Sequence, residues 1–205
     1  MPGGEVLTLV DALRKAGIEF TLVKHENCAG FMAEGVYHRT GAPGILVATL
    51  GPGAMNGANS IANAHQDRVP LIVLTGCVDE DEALTYTHQV MDHRAVFAPI
   101  TKATFRMTAK GADTVADKAV GIATEGRPGP VHIDIPISVA DTEVTLPQVR
   151  RRPAVSEIVP SDGADLDLVR SWLAQAERPV MIVGLDAMND GAGADIQAFA
   201  EKFNI

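Results

Sequence analysis

Cysteine is scarce in this sequence. Its 205 residues hold two, Cys28 and Cys77, far apart and in different motifs, so neither a disulfide framework nor a paired-cysteine metal site is expected. A reducing cytoplasm is the expected compartment. Basic residues are also few: 17 Lys and Arg stand against 26 Asp and Glu, a net charge of -9, with no basic cluster longer than Arg150-Arg151-Arg152. Nucleic acid and anionic membrane are therefore not expected as partners. No run of eighteen apolar residues occurs, and the first residues lack a charged region followed by an apolar stretch, so neither a membrane span nor an export signal is read.

What is present suits a folded domain. Hydrophobic residues make up 46% of the chain and charged ones 21%, well away from the disordered regime. Apolar residues recur at helical spacing over residues 5–15, with Gly17 as a left-handed stop, and again over 29–38, ending at Gly41. Short apolar runs at 20–23, 45–50, 71–74 and 131–135 alternate with helical stretches at 54–65 and 112–124, and a further strand is expected around 102–106. Strands that are apolar on both faces, alternating with helices, predict a doubly wound, mostly parallel α/β sheet with helices on both faces.

Beyond residue 138 the periodicity fades. Pro147, the arginine triplet, Pro153 and Pro160 punctuate residues 139–165, which read as a linker. Residues 166–205 then supply a helix at 166–176, a buried strand at 180–183 and a helix at 196–203. One strand and two helices cannot cover a parallel sheet, so this second α/β unit is expected to be incomplete and the chain to be a piece of a longer protein.

Three places carry candidate chemistry. Glu26 follows the apolar run at 20–23, and ligands gather at the carboxyl ends of parallel strands. Beside Cys28, Ala29, Gly30 and Phe31 its carboxyl is expected to be poorly hydrated, with a raised pKa suited to sharing a proton with a ligand nitrogen. The alternative is an acid placed at a helix start by the dipole alone. Gly51-Pro52-Gly53 and Asn56 form a strand-to-helix turn that either admits a flat or anionic ligand or lets the helix pack closely. His88 and Gln89 lie in a polar loop after the 71–74 run, from which they either reach a substrate or remain solvated. His88 and His93 do not share a helix face, so no zinc site is expected.

Taken in order, Lys24-His25-Glu26 with Ala33-Glu34-Gly35, Gly51-Pro52-Gly53-Ala54 with Asn56, Ala62-Asn63-Ala64 to Asp67 with Pro70, Thr75-Gly76, and Arg127-Pro128-Gly129-Pro130-Val131 with Asp134-Ile135-Pro136 resemble thiamine-diphosphate-dependent enzymes of the acetolactate synthase type. The resemblance runs from about Pro2 to Pro136, over a pyrimidine-binding domain that lacks the family's first strand and helix. It extends weakly into Arg178-Pro179 to Gly184, like the start of that family's middle domain.

The resemblance implies that Glu26 hydrogen-bonds the aminopyrimidine ring and favours its imino tautomer, whose nitrogen takes the thiazolium C2 proton before attack on a 2-keto acid. Gly51, Pro52, Gly53 and Asn56 would lie near that ring. Gln89 matches a substrate-loop glutamine, although the family's flanking phenylalanine and glutamate are here His88 and Val90. Mg2+ would enter through a diphosphate-binding domain whose Gly-Asp-Gly motif is absent from these residues, and the site would form at a homo-oligomer interface. This chain would then supply half a site, bind the cofactor weakly and show no turnover alone; a flavin (FAD) is left open. Two other readings stand beside it: a pyrimidine-domain subunit of a split decarboxylase, and a non-catalytic nucleotide-binding module.

Overall fold

The computed structural model describes residues 3–145 and 159–205. The chain divides into two units, Met1–Arg150 and Arg151–Ile205. Pro2, and Pro147, Arg150, Arg151, Arg152 and Pro153 of the expected linker, lie outside the described residues.

In the first unit, helices α1 (Leu7–Lys15) and α2 (Glu26–Thr40) precede β1 (Gly44–Ala48). Then follow α3 (Pro52–Asn56), α4 (Ala58–Gln66), β2 (Leu71–Cys77), α5 (His93–Phe97), β3 (Ala103–Arg106), α6 (Ala112–Thr124), β4 (Val131–Pro136) and α7 (Ile137–Ala140). The four strands pair in the order β1-β2-β4-β3, all parallel. The expected parallel α/β architecture is thus present.

Every residue of β2 and β4 is buried, and successive side chains serve opposite faces of the sheet. Leu71 and Val73 pack with Ile61 and Ala64 of α4 and Phe97 of α5. Ile72 and Leu74 pack with Ala119 and Ala123 of α6, against which Leu9 and Leu13 of α1 also rest. Two apolar layers explain why these strands read as continuous apolar runs instead of alternating ones.

Local signals set the helix ends. Gly17 (φ +83°) and Gly41 (φ +75°) take left-handed conformations just past α1 and α2, as their lack of a side chain allows. Helix α2 starts three residues earlier than the periodicity suggests, because His25 Nδ1 accepts the Asn27 N–H at 3.2 Å and caps it. The single helix expected over 54–65 is two, α3 and α4, separated at Gly57.

Two expected strands are absent. Residues 20–23 do not pair with β1; an apolar groove of about 290 Å³ separates them from it. A strand needs its neighbour about 4.8 Å away, and the groove removes that contact. Glu26 therefore sits at the first position of α2 and not at a strand tip.

The second unit contains α8 (Ala164–Gln175), α9 (Leu185–Asn189) and α10 (Gly193–Phe203), and no strand among its described residues. Residues 180–183, expected as a buried strand, are irregular, with Val180 86% and Ile182 94% exposed. A parallel strand is held by its ladder of backbone hydrogen bonds, and among the described residues no partner strand pairs with this segment. None of its three helices buries a residue. Among the described residues no helix of the chain is long and apolar enough to cross a membrane.

Candidate functional site

The site grows from the turn that follows β1. Gly51 has φ +60° and ψ -124°, a conformation open to glycine and few other residues. A Cβ there would lie 2.6 Å from the Gln89 carbonyl oxygen. Pro52 then occupies the first turn of α3, where its missing N–H costs nothing. Gly53 faces Thr49 and Glu26: an added Cβ would stand 2.6 Å from Thr49 Cγ2 and 3.7 Å from Glu26 Oε1. The turn is a shallow ledge with a carboxylate at its side.

Glu26 reaches this ledge from the start of α2. It is 3% exposed, and its Oε2 accepts the Asn56 side-chain amide at 3.0 Å. Burial pushes the carboxyl up, but hydrogen bonds to the charged form, Asn56 among them, outweigh burial and hold it below the usual glutamate value. The expected low hydration of Glu26 is present; the expected raised pKa is not. Hydrogen-bond donors had no signature near Glu26 in the sequence, because Asn56 comes from another helix.

Glu26, Gly51, Gly53 and Asn56 are thus brought together, with Pro52 exposed on the turn. Gln89 joins them through its backbone, which presses on Gly51 while it holds φ +59° itself, a left-handed conformation that a non-glycine residue adopts at some cost. His88 is exposed. It stands near Glu5, whose carboxyl is held low mainly by the Thr49 hydroxyl, a donor at 2.6 Å, with a smaller contribution from His88.

One residue of this neighbourhood was legible only as a rejected zinc ligand. His93, at the first position of α5, is 1% exposed; its Nε2 accepts the Gly51 N–H at 2.9 Å and its Nδ1 lies 2.8 Å from Asp134 Oδ1. Register explains the rest. Thr75 of β2 pairs with Asp134 of β4, and His132 lies two residues before Asp134 on the same face. Thr75 Oγ1 donates to Asp134 Oδ1 at 2.6 Å and meets His132 Nε2 at 2.8 Å. Burial pushes Asp134 up, but its hydrogen bonds to His132, His93 and Thr75 win and hold the carboxyl far below the usual range.

The donor atoms of His93, His132 and Asp134 lie within 4.8 Å of one another, a cluster that sequence spacing did not reveal. Their facing atoms are already joined by the hydrogen bonds just described, while His132 Nδ1 is buried without a hydrogen-bond partner among the described residues.

With this fold and site in view, residues 1–96 match the family described as "Thiamine pyrophosphate enzyme, N-terminal TPP binding domain". The chain as a whole is similar to acetolactate synthase large subunits. It is 35% identical over 207 residues to the isozyme 1 large subunit of Escherichia coli K12, covering 98% of this chain and 36% of that protein. It is 36% identical over 211 residues to the large subunit of Lactococcus lactis, covering 100% of this chain and 36% of that protein. For the large subunit of Corynebacterium glutamicum the identity is 33% over 209 residues, covering 100% and 33%. The chain spans about a third of the length of these relatives.

Proposed function

We propose that this chain supplies the pyrimidine-side half of the cofactor site in a thiamine-diphosphate-dependent carboligase or decarboxylase that acts on a 2-keto acid. The observation that carries the reading is the buried Glu26 carboxylate beside a ledge whose side chains are missing at Gly51 and Gly53. Asn56 fixes one carboxylate oxygen, while Glu26 Oε1 faces the space that a Cβ at Gly53 would fill.

Bound there, thiamine diphosphate would supply a carbon acid whose conjugate base is the nucleophile for a 2-keto carbonyl, and an electron sink for decarboxylation. The protein's part is proton handling and placement. Glu26 hydrogen-bonds a ring nitrogen and holds or returns its proton, with Asn56 keeping the carboxylate aimed. Gly53 lets the ring approach the backbone beside Glu26, Gly51 admits the Gln89 backbone against the turn, and Pro52 stiffens it. Gln89, and with it His88, faces the substrate from the loop before α5. Magnesium and the diphosphate are held by a separate domain, and the site is completed across a homo-oligomer interface. Residues 139–165 act as a linker to a middle domain that starts at 166.

Glu26→Gln in the full-length protein tests this. Turnover of pyruvate or another 2-keto acid is expected to fall by roughly a hundredfold or more, as loss of an acid–base group does. Unchanged turnover would overturn the reading, as would adenine-nucleotide binding combined with indifference to thiamine diphosphate.

A further inference from the structure

We propose that His93 is a positioning residue: by accepting the Gly51 N–H it sets the shape of the 51–53 ledge and ties that ledge to the sheet through Asp134. The inference deepens the thiamine reading of the site and rests on it for its consequence, though not for its geometry.

The tautomer follows from the partners. Gly51 N–H can only donate, so His93 Nε2 must present a lone pair. The proton of the neutral ring is then on Nδ1, directed at Asp134 Oδ1 2.8 Å away. Asp134 is itself held by the Thr75 hydroxyl. The ring has little freedom: Asp92 caps α5 by accepting the Ala95 N–H at 3.0 Å. One turn on, Phe97 packs on the His132 ring at 4.7 Å between centroids, and His93 meets that ring edge-on at 6.4 Å.

The amide that His93 receives is buried and belongs to the residue with the least usual backbone angles in the turn. Without an acceptor, that N–H would be left without a partner, and a different turn would satisfy it better. Gly51 lies two residues before Gly53, which faces Glu26. A line of contacts therefore runs from β4 through Asp134, His93 and Gly51 to the ledge on which Glu26 and Asn56 meet.

A merely structural role, in which His93 serves only as the donor for a buried Asp134, makes a different prediction. The amide of asparagine falls where Nδ1 stands and that of glutamine where Nε2 stands. His93→Asn therefore keeps the donor to Asp134 and loses the acceptor for Gly51; His93→Gln does the reverse.

In the full-length protein, His93→Asn is expected to raise the thiamine diphosphate concentration needed for half-maximal activity by about tenfold or more, and to speed amide exchange in the peptide spanning residues 49–56. His93→Gln should recover most of both. If asparagine preserves both readouts and glutamine does not, or if neither variant changes exchange at 49–56, the proposal fails. Should the asparagine variant not fold, the 15N shifts of His93 in the unmodified protein decide: protonation at Nδ1 supports the proposal and protonation at Nε2 overturns it. Exchange that follows the expected order in a protein indifferent to thiamine diphosphate would sink the cofactor reading and leave the hold of His93 on the turn standing.

Discussion

Asn56 and Glu26 stand 30 positions apart in sequence, yet the Asn56 amide donates to Glu26 Oε2 at 3.0 Å. They are placed by different helices, α3 and α2, so the contact reports how those helices meet beside β1. The Asn56 amide helps to keep the carboxylate charged and aimed, and Glu26 Oε1 lies on the side of Gly53.

Asn56→Ala should therefore weaken the site without abolishing it. A hydrogen bond to a charged group contributes about 1.5–3 kcal/mol, so the half-saturating concentration of thiamine diphosphate is expected to rise by roughly tenfold. Asn56→Asp should be worse, because a second carboxylate beside Glu26 disfavours its charged form. Cofactor titration of the full-length protein checks both.

Two glycines of α2 should respond in opposite ways to alanine. At Gly30 a Cβ would fall 1.9 Å from Ser60 Oγ and 2.5 Å from Ser60 Cβ, whereas Gly35 has open space around it. Gly30→Ala must push α2 away from α4 and is expected to cost about 1–3 kcal/mol. Gly35→Ala should gain about 0.5–1 kcal/mol from helix propensity. Urea midpoints of the two variants are the measurement, and equal shifts would contradict the packing described.

The two thiols should separate cleanly. Cys28 is exposed and Cys77 is buried, and burial, reinforced by the charge of Asp134, pushes the Cys77 thiol up to about 12. Only the thiolate reacts quickly. A disulfide reagent at pH 8 is expected to titrate one thiol of this region fast and the second only after denaturant is added; fast reaction of Cys28→Ser would refute this.

Acid should destabilise the first unit in two stages. Burial holds the His132 imidazole below its ordinary value, so below about pH 6.5 the unfolded chain binds a proton that the folded one refuses. Stability is complete above that pH and declines as pH falls toward the folded-state value. Asp134 adds a second decline below about pH 4, because its carboxyl is held low in the fold and must be protonated on unfolding. Denaturant midpoints against pH measure the profile. His132→Leu should remove the upper decline below about pH 6.5 and shrink the lower one, because its ring is among the groups that hold Asp134 low.

Much of this could be read in advance where the chemistry is local. The runs that became β1, β2 and β4 are apolar on both faces, which only a sheet covered twice explains, and Gly17 and Gly41 end helices as their missing side chains permit. Residues 20–23 and 180–183 misled for one shared reason: an apolar run is a strand only when a neighbour offers a ladder, and no local pattern records whether it does. The lowered pKa of Glu26 escaped for a related reason, since burial can be guessed from nearby apolar residues but the hydrogen bonds a carboxylate gathers in the fold, Asn56 among them, cannot.

Order along the chain was enough to read β1, β2 and β4 and the turn after β1, and to single out Glu26, Gly51, Gly53 and Asn56 as candidates. Tertiary structure alone decided how they are held. His93 comes to Gly51 across 42 positions and Thr75 to Asp134 across 59, distances over which spacing carries no information; pairing register and helix packing alone set those contacts.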